Sequence, residues 1–402
     1  MKSKPSRQDK QSQKDSNTAK KMANGTGNKP TESPEQVYAS IEDLMQQGLY
    51  EDALSQAEKL WKLVENGSIT AQLPALNLLG EISVEIGDVD TARTYFEKAV
   101  TLDPEGKVPE TMGGGAEKFL WLAQLCEEGG KQSVEWFEQG IRSLQHEIAA
   151  LEAGQLPNLQ GLSEEELLLL RVEKKRKLAN ALCGIVEVYM TDLSWENDAE
   201  ARCESLITEA MTVEDEPNPE VLQTVASVRL SQQRLEDAQS ALRRSMDGWK
   251  DLDPEDADVP DFPTRISLSR LLMEAEMETQ AFDVLSRLVL EDDQSVEAWY
   301  LGGWCQYLTA QRAHEDGKMS EAEVAAWLKG SRHWLSVCLK LYRVLEYEDE
   351  RLKDHASELL SGMRGPLSDE ELLAEAEEEE WEGISDGGDG DGEPEDAEMQ
   401  DS

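Results

Sequence analysis

The stretch LNLLGEISVEIGDVDTARTYFEKAVTLDP, from Leu76 to Pro104, reads as one helical hairpin, with Leu76, Leu79, Gly80, Ser83, Ala92, Phe96, Ala99 and Pro104 at its contact positions. A small residue at Gly80 lets the first helix approach the second closely. Ala92 and Ala99 keep the facing helix slim, and Phe96 fills the gap. Pro104 ends the second helix, because proline lacks the donor and its ring clashes with the preceding turn. Such a hairpin performs no chemistry by itself, so function is sought in the surface that stacked hairpins create.

The pattern resembles the tetratricopeptide template, and it recurs along the chain. An earlier copy uses Val37, Ile41 and Leu44, turns at Gly48, and continues with Ala53, Ala57 and Leu60. A third pairs Phe119, Leu122, Ala123 and Cys126 with Ser133, Phe137 and Gly140, in a long second helix running from Gly130 towards Leu151. After a break at Gly154 to Gly161, Ser163 and Glu166 form a capping box that restarts the helix. Further copies are centred on Leu182 and Ala199, Leu222 and Ala238, and Leu268 and Ala281. A last pair starts at Trp299-Tyr-Leu-Gly-Gly-Trp304, carries an insertion near Ala310 to Ser320, and ends in a helix through Trp334, Leu335, Cys338 and Leu341. The expected fold is an all-α tetratricopeptide-repeat solenoid of about seven helical hairpins, enough to form a superhelical groove.

The solenoid is expected over residues 34–365. Residues 1–33 and 366–402 lack periodic apolar positions and read as a disordered basic arm and a disordered acidic tail, with a transient helix over Ser368 to Trp381 in the latter. The chain of 402 residues carries 84 Asp and Glu against 39 Lys and Arg, a formal charge of −45. The arm holds 8 basic and 3 acidic residues and the stretch 367–402 holds 17 acids with no Lys or Arg, so most of the excess lies in the body. A surface of that sign repels phosphate and anionic lipid and attracts a basic partner. Direct nucleic-acid and membrane contacts are therefore not expected, although acidity also serves solubility. The five cysteines, Cys126, Cys183, Cys203, Cys305 and Cys338, are scattered and never paired as Cys-x-x-Cys, which suits a reducing compartment and neither zinc nor a disulfide framework. With no apolar leader and no run long enough to span a bilayer, the chain reads as soluble and intracellular.

No catalytic constellation emerges. His146, His314, His333 and His355 have no second ligand at metal spacing, so neither a metal nor a cofactor is expected. Gly113-Gly114-Gly115 could cradle an anion, yet it lies between two hairpins of an acidic body. Trp61, Trp121, Trp136 and Trp304 fit inter-repeat packing better than a ligand cage. Lys174-Lys175-Arg176-Lys177 looks like a nuclear import cluster, with the solvated face of the helix opened by Ser163 as the alternative reading; Lys20 and Lys21 are a weaker import candidate.

In this template the first helix of each hairpin lines the concave wall. Its inward positions hold Tyr38, Glu42, Asn77, Glu81, Glu85, Glu127, Glu128, Glu187, Glu220 and Glu274, with Tyr300 and Tyr307 near the end. The expected groove is an acidic track that pairs with Lys and Arg of an extended peptide, each exposed pair adding only ~0.2–1 kcal/mol. Clamping the acidic C-terminus of a heat-shock chaperone needs Lys and Asn where Tyr38 and Glu42 stand, and is disfavoured.

The Leu76 to Pro104 repeat, the continuation GGGAEKFLWLAQL from Gly113 to Leu125, and the segment Trp299 to Trp304 resemble the family of fungal-type dedicated assembly chaperones of the fourth large-subunit ribosomal protein. The likeness extends over most of Pro34 to Leu360 and includes the basic arm and the acidic tail. It implies a non-enzymatic, monomeric chaperone, cytoplasmic and nuclear, that holds a highly basic ribosomal protein by its long internal loop and delivers it to pre-ribosomes. The competing readings are a general basic-protein or histone chaperone led by the tail, and a repeat scaffold of a multi-subunit complex.

Overall fold

The computed structural model describes residues 33–156, 159, 161–317 and 319–364. Among them the regular structure is helical throughout: α1 Pro34–Gln46, α2 Tyr50–Val64, α3 Ile69–Ile86, α4 Val89–Leu102, α5 Glu117–Gln124, α6 Gly130–Glu152, α7 Glu164–Met190, α8 Ala199–Val213, α9 Pro219–Ser231, α10 Leu235–Asp247, α11 Phe262–Glu274, α12 Glu278–Glu291, α13 Val296–Asp316, α14 Glu321–Val344 and α15 Glu350–Arg364, with a short 3-10 turn at Glu110–Met112. Taken in sequence they form seven antiparallel hairpins and a closing helix, the repeat architecture read from the sequence. Packing divides the chain into two compact units with the boundary after Ala181, inside α7. Apart from Ser33, the expected arm and tail lie outside the described residues, as do Lys20, Lys21 and the segment Ser368 to Trp381.

In the first unit the contact logic of the α3/α4 hairpin holds atom for atom. Phe96 and Ala92 are fully buried, and a Cβ on Gly80 would lie 2.5 Å from the Phe96 ring. Gly87 ends α3 at φ 85°, the left-handed conformation glycine adopts without strain. Asp103, which precedes Pro104 and sits at φ −138° and ψ 73°, is outside the helical region and stops α4 at Leu102. Helix α3 starts at Ile69, about two turns before the quoted stretch, and carries Pro74 within it. Helix starts are held by side chains placed for that purpose: Ser33 and Gln36 form a reciprocal capping box on α1, as Ser163 and Glu166 do on α7.

The glycine run is structural rather than anion-binding. Gly113, Gly114 and Gly115 donate their N–H groups to the carbonyls of Glu110, Pro109 and Val108, which leaves no donors for a cradle. A Cβ on Gly114 would sit 2.0 Å from the Val108 carbonyl oxygen, and one on Gly113 2.1 Å from the Pro74 ring. Beneath this loop the fully buried Lys118 donates to Asp103 (3.0 Å) and to the Gly115 carbonyl (2.7 Å), while Asp103 also accepts from the backbone of Lys107 and Val108. The buried ammonium therefore organises a loop that has no periodic apolar positions of its own. The tryptophans pack between helices as expected: Trp121 stacks on Phe96 at 6.0 Å and Trp136 on Phe119 at 6.3 Å.

In the second unit one continuous core joins Ala226, Leu242, Trp249, Leu272, Leu285 and Leu301. Cβ atoms on Gly302 and Gly303 would meet Trp334 at 2.2 Å and Leu335 at 2.6 Å, so two adjacent glycines let α13 and α14 come together. The expected insertion near Ala310 to Ser320 is mostly helix, because α13 runs on to Asp316 and α14 starts at Glu321 behind a Ser320/Glu323 capping box. Helix α15 closes the unit with Leu352, Ala356, Leu359 and Leu360 buried. Cys183, Cys203, Cys305 and Cys338 are all buried free thiols. Among the described residues no helix is long and apolar enough to cross a membrane, and no three His, Cys, Asp or Glu side chains are placed to hold a metal ion.

Candidate functional site

In the first unit, successive first helices put acids on a shared face. Tyr38 and Glu42 stand one turn apart on α1, and Asn77, Glu81 and Glu85 at successive turns on α3. Tyr38 packs against the core that Ala75, Leu78 and Ile82 of α3 share with α1, and burial, followed by the carboxylates of Glu42 and Glu81, raises its phenol above the usual range. Glu42 and Glu85 are exposed, whereas Tyr38, Asn77 and Glu81 are half-buried. The Asn77 amide donates to the Gly113 carbonyl at 3.3 Å and ties the glycine loop to this face.

Glu117 at the start of α5 continues the face, a residue the repeat template does not select. The template selects Glu127 and Glu128 instead, which lie beyond the end of this helix. Helix α5 is only eight residues long, and Glu127 pairs with Arg93 of α4 at 2.9 Å. Glu117 in turn belongs to a network missed from sequence. Lys177 of α7 reaches Glu117 at 2.7 Å, Glu110 at 3.1 Å and Glu173 at 3.1 Å. Lys174, 1% exposed, binds Glu147 at 2.5 Å and Glu110 at 2.6 Å. Within the basic run at 174–177, Lys174 is buried and Lys177 partly buried, and both are paired with carboxylates. Lys175 is half-buried and Arg176 exposed. The available clue was the i, i+3 spacing of two lysines on a helix together with a glutamate-flanked glycine loop.

Among the described residues Glu81 has no ion pair of its own. Burial, the Glu117 carboxylate and more distantly Glu110 push its carboxyl up to about 7, against a smaller opposing effect of Lys177. The face is therefore short of positive charge at Glu81.

In the second unit, Glu187 is exposed on α7, Glu220 half-buried at the start of α9 and Glu274 exposed at the end of α11. Glu187 and Glu220 approach the same thiol, Cys183, which burial pushes up to about 12. Tyr300 and Tyr307, expected as aromatic flanks, are used in packing. Both lie against the core formed with α15, and the Tyr300 hydroxyl is 2.6 Å from His355 Nδ1, because the closing helix needs an apolar surface to cover.

Residues 73–105 match the tetratricopeptide repeat family. A protein of Emericella nidulans named "Probable assembly chaperone of rpl4" is 47% identical over 371 residues, which cover 89% of this chain and 90% of that protein. A protein of the same name from Schizosaccharomyces pombe is 35% identical, over 83% of this chain and 93% of its own length. The chain belongs to the family of assembly chaperones of rpl4. The solved structure of such a chaperone, Acl4 residues 1–338, is 48% identical and superposes with a TM-score of 0.62, covering 71% of this chain and all of the solved one.

The repeat matched in this family member is the α3/α4 hairpin that carries Asn77, Glu81 and Glu85. Ionising Glu81 in the folded state costs free energy, because its carboxyl titrates near 7 when folded against an ordinary 4.5. The stability it contributes is full below the ordinary value and is lost as pH rises through about 7, a loss of up to about 3 kcal/mol. Glu81→Gln should therefore be more stable than wild type at pH 8, by about 1–3 kcal/mol. Urea unfolding at pH 8 and pH 5 checks this: the gain should shrink at the lower pH, where wild-type Glu81 keeps its proton.

Proposed function

We propose that this chain is a non-enzymatic chaperone of rpl4. It holds the newly made, highly basic ribosomal protein by its long internal loop against the acidic faces of the repeats, keeps it soluble, and delivers it to pre-ribosomes. It works as a monomer in cytoplasm and nucleus, without a cofactor and without touching nucleic acid directly. The observation that carries this reading is the identity of 47% across nearly the whole length to a chaperone named for rpl4. The acid-rich face of the first unit supports it, because a cation brought beside Glu81 supplies the charge that its surroundings lack.

Co-expression tests the reading. With rpl4 produced alongside the full chain, rpl4 should remain in the soluble fraction and co-purify with it. Deletion of residues 366–402 should retain most of that binding. Loss of binding on this deletion would favour a general basic-protein chaperone led by the tail, and binding insensitive to salt would favour apolar docking on a scaffold.

A further inference from the structure

The first unit carries a second feature, separate from the acidic face. Near the start of α7 the side chains of Leu168, Leu169 and Val172 are 48%, 63% and 40% exposed, an i, i+1, i+4 stripe along one side of the helix. Beside it, where α6 ends and α7 begins, opens a cleft of about 860 Å³ lined by Leu151, Leu156, Leu167 and Leu168. Large apolar side chains left in water at this density mark a docking surface in a soluble protein. The cleft is bordered by Glu152, Glu164 and Glu165, with Arg171 as its one basic lining residue.

The charge of the rim decides the occupant. A second copy would bring a chain of net charge −45 against an acidic border, and the acid-rich stretch 367–402 would meet the same repulsion. A basic partner gains on both counts, since its apolar side chains fill the cleft while its cations meet the border. An amphipathic helix laid in a groove, with anchors spaced three and four residues apart, has this chemistry.

We propose that the α6/α7 cleft is a second docking surface for the client, taking a basic amphipathic helix of rpl4 distinct from the segment held on the acidic face. The proposal rests on the reading of rpl4 as the client. Two contacts joined through one client chain raise the effective concentration of each other, so that neither has to be tight alone.

The test is calorimetric titration of the full chain with full-length rpl4 and with overlapping rpl4 peptides. It compares wild type, Leu168→Glu/Leu169→Glu and the face variant Glu42→Lys/Glu85→Lys. All four substituted side chains are exposed, and circular dichroism melts verify that the fold is kept. Leu168→Glu/Leu169→Glu should weaken full-length rpl4 by about tenfold or more. It should also abolish binding of one peptide that combines apolar anchors with Lys and Arg, while that peptide still binds the face variant. Unchanged affinity of full-length rpl4 for the leucine variant, or the loss of no peptide, would overturn the proposal. A wild-type dimer broken by the leucine substitutions would overturn it in favour of a second copy, and tighter rpl4 binding after deletion of residues 1–32 in favour of the basic arm. A wild type that binds no rpl4 at all would overturn the client reading itself.

Discussion

Lys174→Met should destabilise the first unit by about 3–5 kcal/mol, as breaking a buried ion pair from one side does. Lys174 is buried between Glu147, itself 3% exposed at the side chain, and Glu110. Removing the ammonium strands the Glu147 carboxylate in a place where water cannot replace it. Glu147 also accepts from the Glu110 backbone N–H at 2.7 Å, so its other oxygen pins the turn before the glycine loop. The loss therefore spreads from α7 through Glu110 to the loop that touches Asn77. Adding Glu147→Gln to Lys174→Met should recover more than half of the loss, since the amide oxygen still accepts from Glu110 and no buried charge is left. Urea unfolding of the three proteins reads the cycle directly.

The second large effect falls on the client. Glu42 and Glu85 are exposed on the face that includes Glu81, so Glu42→Lys/Glu85→Lys should leave the fold intact. Each exposed pair is worth ~0.2–1 kcal/mol, and reversal replaces the attraction by a repulsion of similar size. For two positions this comes to about 0.8–4 kcal/mol, or roughly fourfold to several-hundredfold in rpl4 affinity. Titration of both proteins with rpl4 at one ionic strength checks it.

How far these sites were legible in the sequence follows from the range over which each is specified. The hairpins could be read because each is written locally: Gly80 admits Phe96 within one repeat, and the Ser163/Glu166 cap fixes the start of α7 within four residues. The template selects Tyr38 and Glu42, and Asn77, Glu81 and Glu85, and these stand at successive turns of α1 and α3 because each spacing is local to one helix. At Glu127 and Glu128 it runs past the helix, because α5 stops after eight residues and the template has no means of knowing that. Lys174 looked solvated because its partners, Glu110 and Glu147, lie 64 and 27 residues away. Helix α15 was enclosed in the expected solenoid without being recognised as an element, since its apolar residues gain meaning only against Leu335 and Leu339 of α14.

The central claim is that the acidic repeat face holds the basic client by charge, and salt dependence tests it most directly. rpl4 affinity should be measured for wild type and for Glu42→Lys/Glu85→Lys between about 0.05 and 0.5 M sodium chloride, a range over which exposed charges pass from weakly to strongly screened. Wild-type affinity should fall steeply with salt, and the variant should start weaker and fall less. A wild-type affinity that stays level across this range and is matched by the variant would contradict the account.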